Sequence, residues 1–182
     1  MDARPSLART ACLAAIVALA LAAPALQAEE QAQEQEQEQS VRGLPEMLAL
    51  GVGYSGVFRH QGRPLYTLEY RFHESRKGIH TAALLGWNSD AHYLNFSLGY
   101  SRTFGQHWTA MIASGPGVYS RSQDGEDLGS PLEFLSRIEV ARIFSNNRRL
   151  GLRLSHISNA HLSEHNPGDE SLALVFAFPV DH

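Results

Sequence analysis

Near the C-terminal end of the chain stand the side-chain types that nucleophilic hydrolysis requires. His156 and Ser158 lie in the run His156-Ile157-Ser158-Asn159-Ala160, and Glu170 ends the run Asn166-Pro167-Gly168-Asp169-Glu170. A serine hydroxyl is a weak nucleophile until a base takes its proton. An imidazole can take it, and a carboxylate on the other ring nitrogen holds the useful tautomer and stabilises the charged ring. In that scheme Ser158 attacks, His156 is the general base and Glu170 orients the imidazole. On an extended strand His156 and Ser158 share a face with Cα atoms ~6.6 Å apart, within reach of a leaning ring. Glu170 must then lie beside His156 across a strand gap of ~4.8 Å, which demands a particular hairpin register. A His-x-Ser pair alone has little specificity and serves equally as a hydrogen-bonded pair without chemistry. The third residue on the same face is what favours catalysis.

The surrounding sequence supplies the strands. From residue 47 onward it alternates apolar and polar residues over roughly 47–56, 64–73, 79–88, 91–102, 107–119, 131–143, 148–160 and 170–178, separated by turn-forming residues and without a helical stripe. Tyr66, Leu68, Tyr70 and Phe72 share one face, opposite Thr67, Glu69 and Arg71. Leu150, Leu152 and Leu154 share another, and continuing it reaches His156 and Ser158; the face of Leu172, Leu174 and Phe176 reaches back to Glu170. All three polar residues therefore project from apolar faces, where ionisable groups lose solvation and are usually retained for function.

Alternation alone fits a soluble sandwich as well as a membrane barrel. Strand lengths near ~10 residues, the even strand number, and compact turns alternating with long polar loops favour the barrel. The compact turns are 74–78, 103–106 and 144–147, against the long loops 121–130 and 161–169. The expected fold is all-β: an eight-stranded antiparallel transmembrane β-barrel of the outer membrane, over 44–182. Tyr54, Trp87 and Tyr119 are expected in an outer aromatic girdle, and Tyr100, Phe104 and Trp108 in an inner one. Gly115-Pro116-Gly117 predicts a bulge or local bend, because Pro116 cannot donate to a ladder.

Length and charge narrow the function classes. With 182 residues, the chain has room for one substantial domain, and a formal net charge of -4 offers no basic footprint for nucleic acid. Residues 1–28 read as a signal peptide: Arg4 and Arg9 precede the apolar run 12–21, with cleavage after Ala25 or Ala28. A Glu/Gln-rich polar leader follows over 29–43. The only cysteine, Cys12, falls inside the signal, so the exported chain has no disulfide chemistry. Among the cations only Lys77 is a lysine; arginine suits fixed charge pairs in an enclosed space. Glu69, Arg71, Arg137, Glu139 and Arg153 are accordingly expected to form an internal ion-pair network that fills the lumen. His156, His161, His165 and Glu164 span a strand end and an irregular loop, so neither a metal nor another cofactor is expected.

The His156-Ile157-Ser158-Asn159 run with the downstream Glu170 resembles the outer-membrane lipid A 3-O-deacylases, the PagL family; the close motif match covers about residues 151–176. The resemblance implies an eight-stranded barrel with a Ser-His-Glu triad of Ser158, His156 and Glu170, and offers Asn159 and Asn166 for oxyanion stabilisation. It implies an outer-membrane esterase that hydrolyses the 3-O-linked acyl chain of lipid A (lipopolysaccharide) in the outer leaflet and releases a 3-hydroxy fatty acid. The alternatives are an outer-membrane phospholipase A-type esterase and a small structural or adhesive barrel without activity. A homodimer stays open on sequence alone. Outer-membrane barrels often end on an aromatic residue, whereas Phe178 is followed here by Pro179-Val180-Asp181-His182.

Overall fold

The computed structural model describes residues 45–58 and 62–180. The expected signal peptide and leader lie outside the described residues. Eight strands follow in order: β1 (Met47–Ser55), β2 (Arg63–Arg71), β3 (Ile79–Trp87), β4 (Ala91–Phe104), β5 (Trp108–Arg121), β6 (Leu132–Ile143), β7 (Arg149–Ser158) and β8 (Asp169–Pro179). Each pairs antiparallel with its neighbours in sequence, and β8 pairs with β1 from Met47↔Pro179 to Ser55↔Ser171, closing the barrel. A 3-10 turn over Ser145–Asn147 makes the tight β6–β7 connection. Strand bounds fall within a few residues of the alternating segments, because period-two patterning is a local property of the chain.

Alternation sorts residues between lumen and outer wall. Leu98 (62% exposed), Leu152 (58%) and Ile112 (58%) stand on the outside with most of the other large apolar side chains of the strands. So extensive an apolar wall is rare on a soluble monomer and suits a hydrocarbon surround, where a closed ladder leaves no backbone group unsatisfied. Tyr54, Trp87, Tyr100, Phe104 and Trp108 are exposed on this wall. Tyr119 departs from expectation. It sits at an inward position, packs against the cluster of Leu84, Leu128, Leu135 and Ile157, and its hydroxyl donates to the Glu126 carbonyl at 3.0 Å.

Inside, one charged cluster fills the middle of the lumen. Arg137 Nη1 donates to Glu69 Oε1 at 2.8 Å, and Arg71 Nη2 reaches Glu139 Oε2 at 2.7 Å. Arg153 pairs with both carboxylates, at 2.7 Å to Glu139 and also to Glu69. All five side chains are buried. Small residues let the wall close around them: Met47, Ala49, Ala173, Val175 and Ala177 form a tight cluster along the β1–β8 seam.

Pro116 behaves differently from the expected bulge. The β4–β5 register is the same before and after it, Asn95↔Gly117 and Leu98↔Ser114, so no residue is inserted. The ladder is interrupted between these pairs, and the buried Asn95 side chain fills the gap by donating to the carbonyls of Gly115 at 2.7 Å and Pro116 at 2.8 Å.

Removing one member of a buried ion cluster leaves its partners uncompensated, at a cost of about 3–5 kcal/mol. Glu69→Gln is therefore expected to lower barrel stability by that amount in urea unfolding from detergent micelles. A midpoint equal to that of the unmodified chain would show that the cluster does not hold the lumen together.

Candidate active site

His156 lies on β7 with its side chain on the outer wall, in register with Glu170 on β8. The ring is half exposed and the carboxylate less so, and His156 Nδ1 stands 3.1 Å from Glu170 Oε1. An ionised carboxylate can only accept, so Nδ1 carries the hydrogen and donates, leaving the Nε2 lone pair as the basic position. Ser158 is the last residue of β7, half-buried on the same outer face as His156. The required hairpin register thus exists, set by the length of the loop between β7 and β8.

Past Ser158 the backbone turns sharply. Ala160 (φ 52) and His161 (φ 63) both adopt the left-handed conformation, which costs a residue with a Cβ roughly 1–2 kcal/mol, and the Leu162 N–H closes the turn on the Asn159 carbonyl at 3.0 Å. Strain of this kind persists only where its surroundings over-determine it. Here the restraint is Asn159, fully buried, whose amide donates to the Leu128 carbonyl at 2.9 Å and the His165 carbonyl at 2.8 Å. Its backbone N–H donates to Asn166 Oδ1 at 3.0 Å. One asparagine therefore ties the loop after Ser158 to the loop between β5 and β6.

That second loop is anchored in turn. Leu128 is buried in the apolar cluster at this end of the lumen, and Asp127 accepts from the Gly129 N–H at 2.9 Å and from Arg121 Nη2 at 2.8 Å. The Gly129 N–H, and after it the Arg121 guanidinium, hold the Asp127 carboxyl below the usual carboxylate range. This brace is complete above that range and is lost as pH falls through the lowered value.

Of the residues picked from sequence, His156, Ser158 and Glu170 share the outer wall at the long-loop end, and His156 and Glu170 are in contact there. Asn166 Oδ1 is bonded to the Asn159 backbone N–H within the loop, and the Asn159 side chain points into packed protein, its amide hydrogens already taken. Among the described residues no group of three or more His, Cys, Asp or Glu side chains could hold a metal ion. Sequence reasoning passed over Gly168. Its φ is +62°, and a Cβ there would stand 2.8 Å from His156 Cε1, so the loop backbone lies flat against the imidazole. The signal was Pro167-Gly168 directly before a strand. Also passed over were Ser136 and Ser114, which continue the row across β6 and β5: Ser136 pairs in register with His156, and Ser114 with Ser136. A groove of about 730 Å³ on the outer wall runs past these residues, with His156 and Glu170 in its lining.

Comparison with known proteins points the same way. The family model for lipid A 3-O-deacylase (PagL) matches residues 48–179. The lipid A deacylase PagL of Pseudomonas aeruginosa is 36% identical over 93 residues, covering 49% of this chain and 54% of that relative; the matched stretch thus spans about half the relative's length. The crystal structure of the outer membrane enzyme PagL superposes with a TM-score of 0.56 at 27% identity, covering 74% of this chain and 99% of that one. A de novo designed transmembrane β-barrel shares the fold alone, with a TM-score of 0.53 at 15% identity over 76% of this chain and 99% of the design.

Replacing Asn159 by Ala leaves two carbonyls without their donor, at about 1–3 kcal/mol each where they are buried. Asn159→Ala is expected to free both loops, read as faster limited proteolysis within 122–131 and 159–168 while the barrel stays intact. Unchanged cleavage rates would remove Asn159 from its bracing role.

Proposed function

The chain belongs to the lipid A 3-O-deacylase (PagL) family, and from that membership we propose that it is an outer-membrane esterase that removes the 3-O-linked acyl chain of lipid A through Ser158, His156 and Glu170. The observation that carries this reading is the Nδ1 contact between His156 and Glu170 at 3.1 Å on the lipid-facing wall, with Ser158 next on the same face. A hydrogen-bonded imidazole–carboxylate pair on that wall is an expense that structure alone does not require.

In this reading the three groups act in turn. Ser158 Oγ attacks the ester carbonyl carbon as its proton passes to His156 Nε2, forming a tetrahedral oxyanion and an imidazolium facing Glu170. The intermediate collapses by breaking the bond to the sugar oxygen, which takes the proton from Nε2, and the acyl chain stays on Ser158. Water then attacks the acyl-serine, again giving its proton to Nε2. Return of that proton to Ser158 releases the fatty acid. The oxyanion is held by the Asn166 amide and by backbone N–H groups of the 159–168 loop, a contribution of roughly 3–4 kcal/mol. Asn159 acts at one remove, by holding that loop.

The location of the groups suits a lipid substrate. They stand where the apolar wall gives way to the long loops, the depth at which ester carbonyls lie between sugars and acyl tails. Substrate reaches them by lateral diffusion within the leaflet, without a tunnel through the ion-filled lumen.

The test is mass spectrometry of lipid A from cells making the protein or its Ser158→Ala variant. The unmodified chain is expected to remove one 3-O-linked hydroxyacyl group, and Ser158→Ala, folded and inserted, to leave lipid A intact, a loss of about 10⁴-fold or more in rate. Deacylation by the variant would refute the nucleophile, and accumulation of lysophospholipid instead would favour a phospholipase. Gly168→Ala adds a Cβ against the His156 ring and is expected to reduce turnover at least about tenfold without unfolding the barrel, measured with the same substrate in micelles. Full activity in that variant would show that the loop does not set the ring.

A further inference from the structure

Among the described residues, the exposed charged side chains at the compact-turn rim are all cations. Arg76 and Lys77 lie in the β2–β3 turn, Arg102 near the end of β4, and Arg142 and Arg148 on either side of the β6–β7 turn. The two acids of this rim are half-buried: Glu46 accepts from the Tyr70 hydroxyl, and Glu74 lies in the field of the inward Arg149 and Arg71. At the opposite rim the long loops carry the acids Asp124, Glu126, Asp127 and Glu164. The two ends of the barrel therefore present opposite signs of charge.

Two of the cations stand on the lipid-facing wall itself. Arg102 continues the outward row of β4 and Arg142 that of β6. Between them runs β5, whose Trp108 is in register with Phe104 and Arg142, and whose Ala110 is in register with Arg102 and Val140. The arginines thus occupy diagonal corners of one patch, about 12 Å apart at Cα, within the joint reach of two such long side chains. Ala110, the smallest member, leaves space above the middle strand. Among the described residues neither guanidinium is paired with a carboxylate, and that of Arg142 lies over the Phe144 ring, 5.5 Å from its centroid. A cation on a hydrocarbon-facing wall without a counter-ion is costly. The exposed Phe104 and Trp108 mark the depth of the headgroups, where the anions in reach are lipid phosphates, whose oxygens match the guanidinium fork.

We propose that Arg102 and Arg142, with Trp108 between them, bind the headgroup phosphate of an anionic phospholipid in the leaflet at the compact-turn rim, which in an outer-membrane barrel is the periplasmic one. Arg76, Lys77 and Arg148 add to the positive potential around the site and favour a headgroup of net negative charge over a zwitterionic one. A lipid fits better than a free anion because the wall above the arginines is apolar: Val140 and Leu152, paired in register, are 48% and 58% exposed and meet the acyl chains. The site lies at the opposite rim from His156 and Glu170 and takes no part in hydrolysis; it fixes the depth of the barrel in the membrane.

The chain has only two tryptophans, Trp87 and Trp108, at opposite rims, so each can serve as a local probe. Full-length protein carrying Trp87→Phe is reconstituted in mixed phosphatidylcholine and phosphatidylglycerol bilayers with brominated chains on one lipid or the other, and quenching of Trp108 fluorescence gives the relative affinity of the two lipids. Phosphatidylglycerol is expected to be preferred by about fivefold or more, the scale of one arginine near an anionic surface. Arg102→Gln/Arg142→Gln is expected to bring the ratio close to one, and each single substitution to lower it part way, so the result does not depend on folding of the double variant. Trp108→Phe, which leaves Trp87 as the probe of the long-loop rim, is expected to show no such preference. Inorganic phosphate added at constant ionic strength is expected to leave the Trp108 ratio unchanged. Equal affinities at Trp108, a ratio unmoved in all three arginine variants, the same preference at Trp87, or its loss to inorganic phosphate would each overturn the site.

Discussion

Closure of β8 onto β1 is the constraint from which the rest of this molecule follows. In hydrocarbon an unpaired strand edge has no water to satisfy it, so the last strand must meet the first residue for residue, as it does from Met47↔Pro179 to Ser55↔Ser171. The small side chains at Ala49, Ala173 and Ala177 on that seam allow the wall to curve tightly. Closure also divides every strand into an outward and an inward set, with no intermediate choice. The outward set must be apolar over the membrane span. The inward set has to fill a narrow lumen, and Glu69, Glu139, Arg71, Arg137 and Arg153 do so as mutually paired ions.

This division explains why the proposed chemistry sits outside. The lumen is occupied by a charge cluster with no path for a lipid, whereas the wall is in direct contact with one. A polar side chain on the wall is then unusual for the fold, and four register positions in succession carry one: Glu170, His156, Ser136 and Ser114. They form an oblique band because hydrogen-bonded neighbours run across tilted strands. The loops at the same rim supply what the wall lacks, namely buried anchors at Leu128 and Asn159 that hold irregular backbone over the end of β7.

Much of this was legible in the sequence, because period-two alternation is written residue by residue and needs no knowledge of partners. The eight strands, the faces of Leu154, Leu172 and Phe176, and the internal placement of the charged residues all follow from it. What escaped depends on register between strands. That Ser136 faces His156 is set by the length of the β6–β7 turn and the closure of the ring, neither of which the motif contains. Tyr119 escaped because aromatic type and position at a strand end suggested the girdle, while parity along β5 turned it inward. At Pro116 the missing donor was noticed, but the Asn95 side chain that bonds the carbonyls left where the ladder breaks lies on the neighbouring strand. Asn159 was read by analogy with amide oxyanion donors, and only the folded loops reveal that its hydrogens are committed elsewhere.

Two serines flank the imidazole, and the backbone around each argues for different roles. Ser136 lies within β6, where the ladders to β5 and β7 continue on both sides of it, and its hydroxyl is engaged with Ser114. An oxyanion formed beside it would find the neighbouring N–H groups already bonded. Ser158 ends β7, and beyond it the chain leaves the ladder through the left-handed Ala160 and His161. The turn lies outside the strand ladder, with its Asn159 and Leu162 N–H groups bonded within the loop, and a developing negative charge needs preorganised donors more than it needs a second hydroxyl. In the proposed reaction the position at the strand end, Ser158, is the one suited to attack on the carbonyl. The left-handed Ala160 and His161 are held by the Asn159 bonds to the Leu128 and His165 carbonyls, so the chain leaves the sheet immediately after Ser158.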